Sequence, residues 1–571
     1  MRSGIRLLGS SWQGFIVLLL GLYWLYGWRP FLVHAGLVVD DFLYIRHAQG
    51  FLDWLHGRSP AWLGPYDCFC LAKVPLYGLW LAFLNLLSIP LHVGDFLLLL
   101  VSPFLLRRAV KPATQLEGWR FTIVVILLVA NPFFPGDFRI RREGLQICLT
   151  NLCLISAVGM FLHGEKPLGE RLRWAALTGL FFALSYLNRE EAIWMVVAIV
   201  VAGLLMLVRV FYRWRQGQQS LLSSLKSHTA VLAVIGFVFL LPVLTVCALN
   251  KRYYGVFLTS YRRNSAFIGL VQRLTSLEPL GHQAYVPIAR STRMKAYELS
   301  PTFARLKPFM EAEEGFWTAG NGPHSIANGR NAADREIFAT TVEFCLTHAA
   351  EEAGAKSAEQ MEAMFVSIDR ELGEAIRAGK IQAGVHGPSV LVAPRPGDAR
   401  RLLAAWWTSF STLMRVVHLP YFWPTTFIAT QAQLDDLARL TSSSVTLYPR
   451  NSWGFSSRDY VYDWTKAMQR IVYPVLLLSL LGLLASRWKQ VFTRAPSPQG
   501  YLLWSMAVPL AGLGTFCFCM AVVEVLYFKL LFAPSYNLLG FAPLTVLCAL
   551  VFVGLTFPHA RGAASAESSG A

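Results

Sequence analysis

The sequence predicts an all-α polytopic membrane protein with about ten transmembrane helices, an interfacial helix in the first outer loop and a large, mainly helical extracytoplasmic segment. Three observations predict this. Only 15% of the 571 residues are charged and 55% are hydrophobic, whereas a soluble chain carries about 25% charged residues. Apolar runs approaching the length of a bilayer-spanning helix recur along the chain, and mean hydropathy is +0.45. Basic residues cluster directly after such runs, as in Arg107-Arg108 with Lys111, Arg213 with Arg215, and Arg487 with Lys489. This positive-inside pattern accounts for most of the net charge of +17 without a polyanion partner. No basic stripe interleaved with aromatics points to nucleic acid.

Spans are expected at residues 12–28, 93–107, 119–135, 144–162, 174–187, 192–211, 229–249, 470–486, 500–526 and 537–557. The first follows Arg2 and Arg6 and lacks a small-x-small cleavage site, which reads as an uncleaved signal anchor with a cytoplasmic N-terminus. The apolar stretch Leu76–Leu91 is broken at Pro75 and Pro90. Counting it as a span would place Arg107, Arg108 and Lys111 outside, so it is read as an interfacial helix. The loops around 107–111, 165–173, 213–226 and 487–494 then fall in the cytoplasm, as does the C-terminus. Asp40-Asp41, 137–143, 188–191, 250–469 and 524–537 share the opposite face, an arrangement suited to a site assembled from loops on a helical scaffold.

The expected organisation is a catalytic transmembrane module over 1–249 with an outer loop at 29–92, an extracytoplasmic domain over 250–469, C-terminal transmembrane helices over 470–557 and a disordered tail over 558–571. From Lys251 to Lys466 the long apolar runs vanish, and one helix is expected over about Ala332–Ala350. Another begins at Ser357, with Gln360 completing a capping box and Met361, Met364, Phe365 and Ile368 at helical spacing. Asn321-Gly322-Pro323, His386-Gly387-Pro388 and Pro394-Arg395-Pro396-Gly397 mark turns or breaks. The nine cysteines are scattered. Cys68/Cys70 and Cys517/Cys519 are too close for easy disulfide geometry, and no Cys/His spacing reads as a zinc site.

The chemistry-bearing candidates gather at span ends. Two adjacent carboxylates, Asp40 and Asp41, sit where the first apolar segment runs out, with Tyr44 just after. Like charges a few ångströms apart push one pKa upward, which suits a general base near neutral pH. Arg139, Arg141, Arg142 and Glu143 form a cluster where the positive-inside rule disfavours arginine, and the guanidinium fork suits a phosphate leaving group. Arg189, Glu190 and Glu191 lie in a short hairpin, where either glutamate could pair with one of those arginines or help hold an acceptor. Lys73, and Lys529 near Tyr536, are further candidates, though interfacial lysines commonly snorkel. Gly-x-Ser-x-Gly is absent, and His34, His47 and His56 lack a recognisable nucleophile partner.

In this order of motifs the chain resembles the membrane-embedded glycosyltransferases of the C superfamily, which include protein O-mannosyltransferases and bacterial lipid A aminoarabinose transferases. The resemblance rests on Asp40-Asp41, Tyr44 and Lys73-Val74-Pro75-Leu76-Tyr77, with Trp62-Leu63-Gly64-Pro65-Tyr66 between them and Arg142-Glu143 and Arg189-Glu190-Glu191 beyond, over roughly residues 10–210. It implies a polyprenyl-phosphate-linked sugar donor, attack with inversion, Asp40 as base and Asp41 as its neighbour. Some relatives use a divalent metal, although no metal site is visible in this sequence. The acceptor stays open as a glycan, lipid or protein. Two other classes compete: a transporter or flippase of a lipid-linked glycan, which calls for ionisable groups deep in paired, broken helices, and a membrane-anchored assembly protein working through its outer segment.

Overall fold

Two prolines shape the start of the bundle. Pro75 and Pro90 cap helices Leu76–Leu86 (α2) and Leu91–Val110 (α3), and Ser88 between them takes a left-handed φ of 53°. The axes differ by 107°, so α2 lies nearly across α3. In this computed structural model the described residues are 15–16, 18–22, 31–33, 39–129, 142–277, 286–312, 335–337, 342–384, 397–415, 431–442, 445–447, 457–486, 498–526 and 541–556.

Upstream of α2 are a short strand, Phe31–Val33 (β1), and helix Val39–Leu55 (α1). Downstream, Gly118–Val129 (α4), Glu143–Leu162 (α5), Leu168–Asn188 (α6), Met195–Arg215 (α7) and Leu221–Tyr254 (α8) form the body of the bundle. Helix α5 is apolar on nearly all sides and is buried throughout, as a helix without a polar face must be. It packs on α3, α6 and α7. Helices α7 and α8 instead expose large apolar side chains such as Leu204, Phe237 and Leu241, a surface that suits lipid.

The middle of the chain supplies Ser265–Ser276 (α9), Arg290–Leu299 (α10), Val342–Glu352 (α11) and Ala358–Arg377 (α12). Ser357 accepts the Gln360 amide N–H at 3.2 Å, while Gln360 Oε1 takes the Lys356 N–H at 2.8 Å. The capping box therefore closes one residue earlier than the motif implies. Met361, Met364, Phe365 and Ile368 are all buried, joining Phe267 and Leu270 of α9 in one core. Trp62 and Leu71 of the first outer loop belong to that same core.

Asp398–Arg415 (α13) packs on Ala507–Leu526 (α17). Gln431–Thr441 (α14) lies on α2, where Asn85 Nδ2 donates to the carbonyls of Arg439 and Leu440. Val445–Leu447 (β2) pairs in parallel with β1, Phe31 opposite Val445. This pair departs from the all-α expectation; two apolar triplets, Phe-Leu-Val and Val-Thr-Leu, satisfy their backbone groups on each other. Ser457–Ser486 (α15), Pro498–Ser505 (α16) and Phe541–Leu555 (α18) follow toward the C-terminus. The boundary expected at 470 lies inside α15.

Among the described residues four helices are long and apolar enough to cross a membrane, or five if α2 and α3 count as one span, and three shorter apolar helices lie at Gly118–Val129, Arg470–Ser486 and Ala542–Leu555. The protein is a multi-pass membrane protein; ten spans are not all visible in this set. All nine cysteines are free. The first span, the turns at 321–323, 386–388 and 394–396, and the tail at 558–571 fall wholly or mostly outside the described residues.

Candidate functional site

The start of α5, the end of α6 and the start of α7 meet at one end of the bundle, and their charged residues meet with them. The chain between α6 and α7 is short: Arg189 is extended at φ −151° and a 3-10 turn covers Glu190–Trp194. Asn188 closes this hairpin onto α5, its Nδ2 donating to Arg142 O at 3.0 Å and to Gln146 Oε1 at 2.8 Å. Arg189 Nη1 then donates to Glu143 Oε1 at 2.8 Å, and its Nε reaches Glu191 Oε2 at 3.5 Å. Glu143 also sits in the first turn of α5, where the helix dipole favours an anion.

Arg142 is buried, with 6% of its side chain exposed, and its Nη2 lies 4.0 Å from Glu191 Oε1. Its Nη1 donates to Asn188 O at 3.3 Å, and its guanidinium carbon is 6.0 Å from the centre of the Tyr44 ring. Tyr44 packs edge-on against Tyr77 with ring centres 5.0 Å apart. Two elements of the sequence motif, Tyr44 and Tyr77, thus sit together beside a third, Arg142. Asp40 and Asp41 occupy the first turn of α1, four and three positions before Tyr44, so the helix register places them one turn away. Their side chains, together with Arg139, Arg141 and Tyr536, lie outside the described set.

The sequence reading missed a second set of charges in this cluster. Tyr66 and Tyr261 hydroxyls share a hydrogen bond of 2.8 Å, and Tyr261 N donates to Leu71 O at 2.9 Å. This anchors the turn Tyr261–Arg263, which Asn264 ends by capping α9. Arg262 Nε donates to Glu343 Oε2 at 2.6 Å, and its Nη1 lies 3.6 Å from Glu191 Oε1. Arg263 Nη2 donates to Glu190 O at 3.1 Å, and Ser260 Oγ donates to Glu190 Oε1 at 2.5 Å. Lys73 is buried with its Nζ 5.5 Å from the centre of the Phe344 ring, beside Glu343.

Glu191 therefore faces three guanidiniums, those of Arg142, Arg189 and Arg262. Glu343 is 5% exposed. Burial raises its carboxyl pKa, against the pull of Arg262 and Lys73. Its Oε1 and the buried Glu190 Oε2 have no hydrogen-bond partner among the described residues. Among the described residues no group of three or more His, Cys, Asp or Glu could hold a metal ion. The guanidinium-rich cluster itself is a poor setting for a divalent cation.

The strap Trp62–Tyr66 holds this end of the molecule together. Trp62 Nε1 donates to Asn250 Oδ1 at 3.0 Å, and Tyr254 Oη donates to Gly64 O at 2.8 Å. Gly50 of α1 lies so close that a Cβ there would sit 2.3 Å from the Leu63 carbonyl. On the far side of the loop, buried His47 Nε2 donates to Cys70 O at 2.8 Å, and burial lowers its pKa to about 4.

A multi-pass helical membrane protein with a cluster of cations and carboxylates at one end of its bundle is the class these features define. No protein-family model matches the sequence, and no curated protein matches it. Two solved structures are similar to it. One is ArnT from Cupriavidus metallidurans bound to undecaprenyl phosphate, at 13% identity over 90% of this chain and 78% of that one, with a TM-score of 0.28. The other is the same protein in the apo state, at 13% identity over 95% and 78% of the two chains, with a TM-score of 0.30.

Proposed function

We propose that the protein is a glycosyltransferase that moves a sugar from a polyprenyl-phosphate-linked donor to an acceptor at the outer face of the cytoplasmic membrane. The observation that carries this reading is Arg142, set between Tyr44 and Glu191 at the mouth of the hairpin, with Asp40 and Asp41 one helical turn before Tyr44. The transfer demands a cation for the leaving phosphate and a carboxylate base for the acceptor hydroxyl. The acceptor hydroxyl oxygen attacks the anomeric carbon while Asp40 takes its proton, with Asp41 tuning that base. The bond from the anomeric carbon to the lipid phosphate oxygen breaks, and its electron pair leaves with the phosphate. Arg142, aided by Arg139, Arg141 and Lys73, neutralises the charge that develops there. Attack from the opposite side inverts the anomeric centre.

In this reading Arg189, Glu190, Glu191 and Glu143 shape the sugar and acceptor pocket together with Tyr44 and Tyr536. The 250–469 segment covers the cleft through Arg262, Arg263 and Glu343. Transfer of radiolabelled sugar from a polyprenyl-phosphate donor tests the assignment. Asp40→Asn is expected to lower transfer at least about a hundredfold with the unfolding temperature unchanged. Full activity in that variant removes Asp40 from the chemistry.

A further inference from the structure

A cavity of 380 Å³ lies away from the charged cluster. Helix α5 runs 20 residues from Glu143 to Leu162, about 30 Å, and the cavity is bordered by Leu162 and by Arg209 and Arg213 from the C-terminal end of α7. It therefore opens at the opposite end of the bundle. Its volume falls within the roughly 300–1,000 Å³ of small-ligand sites.

Arg209 is built into the wall. Its side chain is 6% exposed, and its guanidinium carbon stands 3.8 Å from the centre of the Tyr501 ring. Nη1 donates to Phe161 O at 3.1 Å and Nη2 reaches Glu165 Oε1 at 2.5 Å, while the buried Nε has no partner among the described residues. Arg213 Nη1 reaches the same Glu165 oxygen at 3.3 Å, and its Nε donates to Gln218 Oε1 at 3.2 Å. Lys166 also borders the cavity. One carboxylate is thus shared between two guanidiniums, with an ammonium beside it. Burial works against the charge on Glu165, but Arg209, Arg213 and Lys166 hold its carboxyl below the usual range, so it stays ionised. The wall keeps an excess of positive charge.

We propose that this cavity is a phosphate-binding site on the membrane face opposite the charged cluster, and that Glu165 is its internal competitor, holding the arginines until a phosphate displaces it. The stacked, preoriented fork of Arg209 suits a phosphate oxygen pair. The phosphate can come from an anionic lipid headgroup or from a soluble phosphate. The site stands apart from the glycosyl-transfer reading and survives its failure.

The full-length protein in phosphatidylcholine nanodiscs separates the two sources. One arm titrates inorganic phosphate calorimetrically; the other adds phosphatidylglycerol and counts bound lipid by native mass spectrometry. Because Arg209→Gln risks the fold, the exposed Lys166 and the half-exposed Arg213 and Glu165 are changed instead, with thermal unfolding as the folding control. Arg213→Gln is expected to weaken binding about tenfold, Lys166→Gln to weaken it less, and Glu165→Gln to tighten it severalfold. That ranking with phosphatidylglycerol alone assigns a lipid headgroup, and with inorganic phosphate a soluble ligand; either supports the site. Binding of neither probe, binding indifferent to all three substitutions, or a Glu165→Gln variant that binds more weakly overturns it.

Discussion

Removing Arg262 should strand a buried carboxylate. Glu343 is 5% exposed and gives one oxygen to Arg262 Nε at 2.6 Å, while its other oxygen has no partner among the described residues. Breaking a buried ion pair by deleting one member costs about 3–5 kcal/mol. Arg262 is 26% exposed, so solvent screening trims that to about 2–3 kcal/mol for Arg262→Gln. The penalty depends on pH with a definite sign. Burial already raises the Glu343 carboxyl pKa, and losing the guanidinium raises it further. A group with a raised folded pKa contributes fully below its unfolded pKa, and that contribution is lost as pH rises through the folded value. The variant should therefore lie nearer the parent at pH 5 than at pH 8. Chemical unfolding in detergent at both pH values measures this, and adding Glu343→Gln should restore most of the loss. A penalty below about 0.5 kcal/mol at pH 8, or a double variant no more stable than Arg262→Gln, refutes the reasoning.

Two further expectations concern the first outer loop. His47 has its pKa lowered from 6.5 to about 4 by burial. Such a group contributes its stability above the unfolded pKa and loses it as pH falls, so stability should drop by about 3 kcal/mol between pH 6.5 and 4. His47→Gln should flatten that slope in a pH series of unfolding curves; an unchanged slope assigns the loss to another group. Gly50→Ala would set a Cβ 2.3 Å from the Leu63 carbonyl. Backbone cannot yield as a flexible side chain does, so a loss of about 2–3 kcal/mol is expected by thermal unfolding. A melting temperature equal to the parent's contradicts the close approach.

The bundle was legible where hydrophobicity alone decides the element. Helix α5 runs 143–162 against an expected 144–162. Helix α8 outruns its expected 229–249 at both ends, reaching Leu221–Tyr254, because Ser223, Ser224 and Lys226 at one end and Asn250–Arg252 at the other continue a helix beyond its apolar stretch. The bend between α2 and α3 could be read from two prolines. The strand pair could not, since three residues carry no periodicity and their partner lies far along the chain. The cluster was half legible. Arg142, Glu143 and the Arg189–Glu191 hairpin announce themselves as charges at apolar boundaries. Glu343 does not, because only folding brings it to Arg262. Arg262 and Arg263 did leave a signal, following an expected outward helix end where basic residues are disfavoured, the same argument that picked out Arg142.

The parallel ladder between Phe31–Val33 and Val445–Leu447 has a bearing on biogenesis. The chain that leads into α1 finds its backbone partner roughly 400 residues later, tens of seconds of ribosome time at about 5–20 residues per second. Through that interval the early helices can insert, but the backbone groups of Phe31–Val33 wait for the strand that closes the ladder. A nascent chain truncated before residue 445 would carry the first half of that ladder without the second.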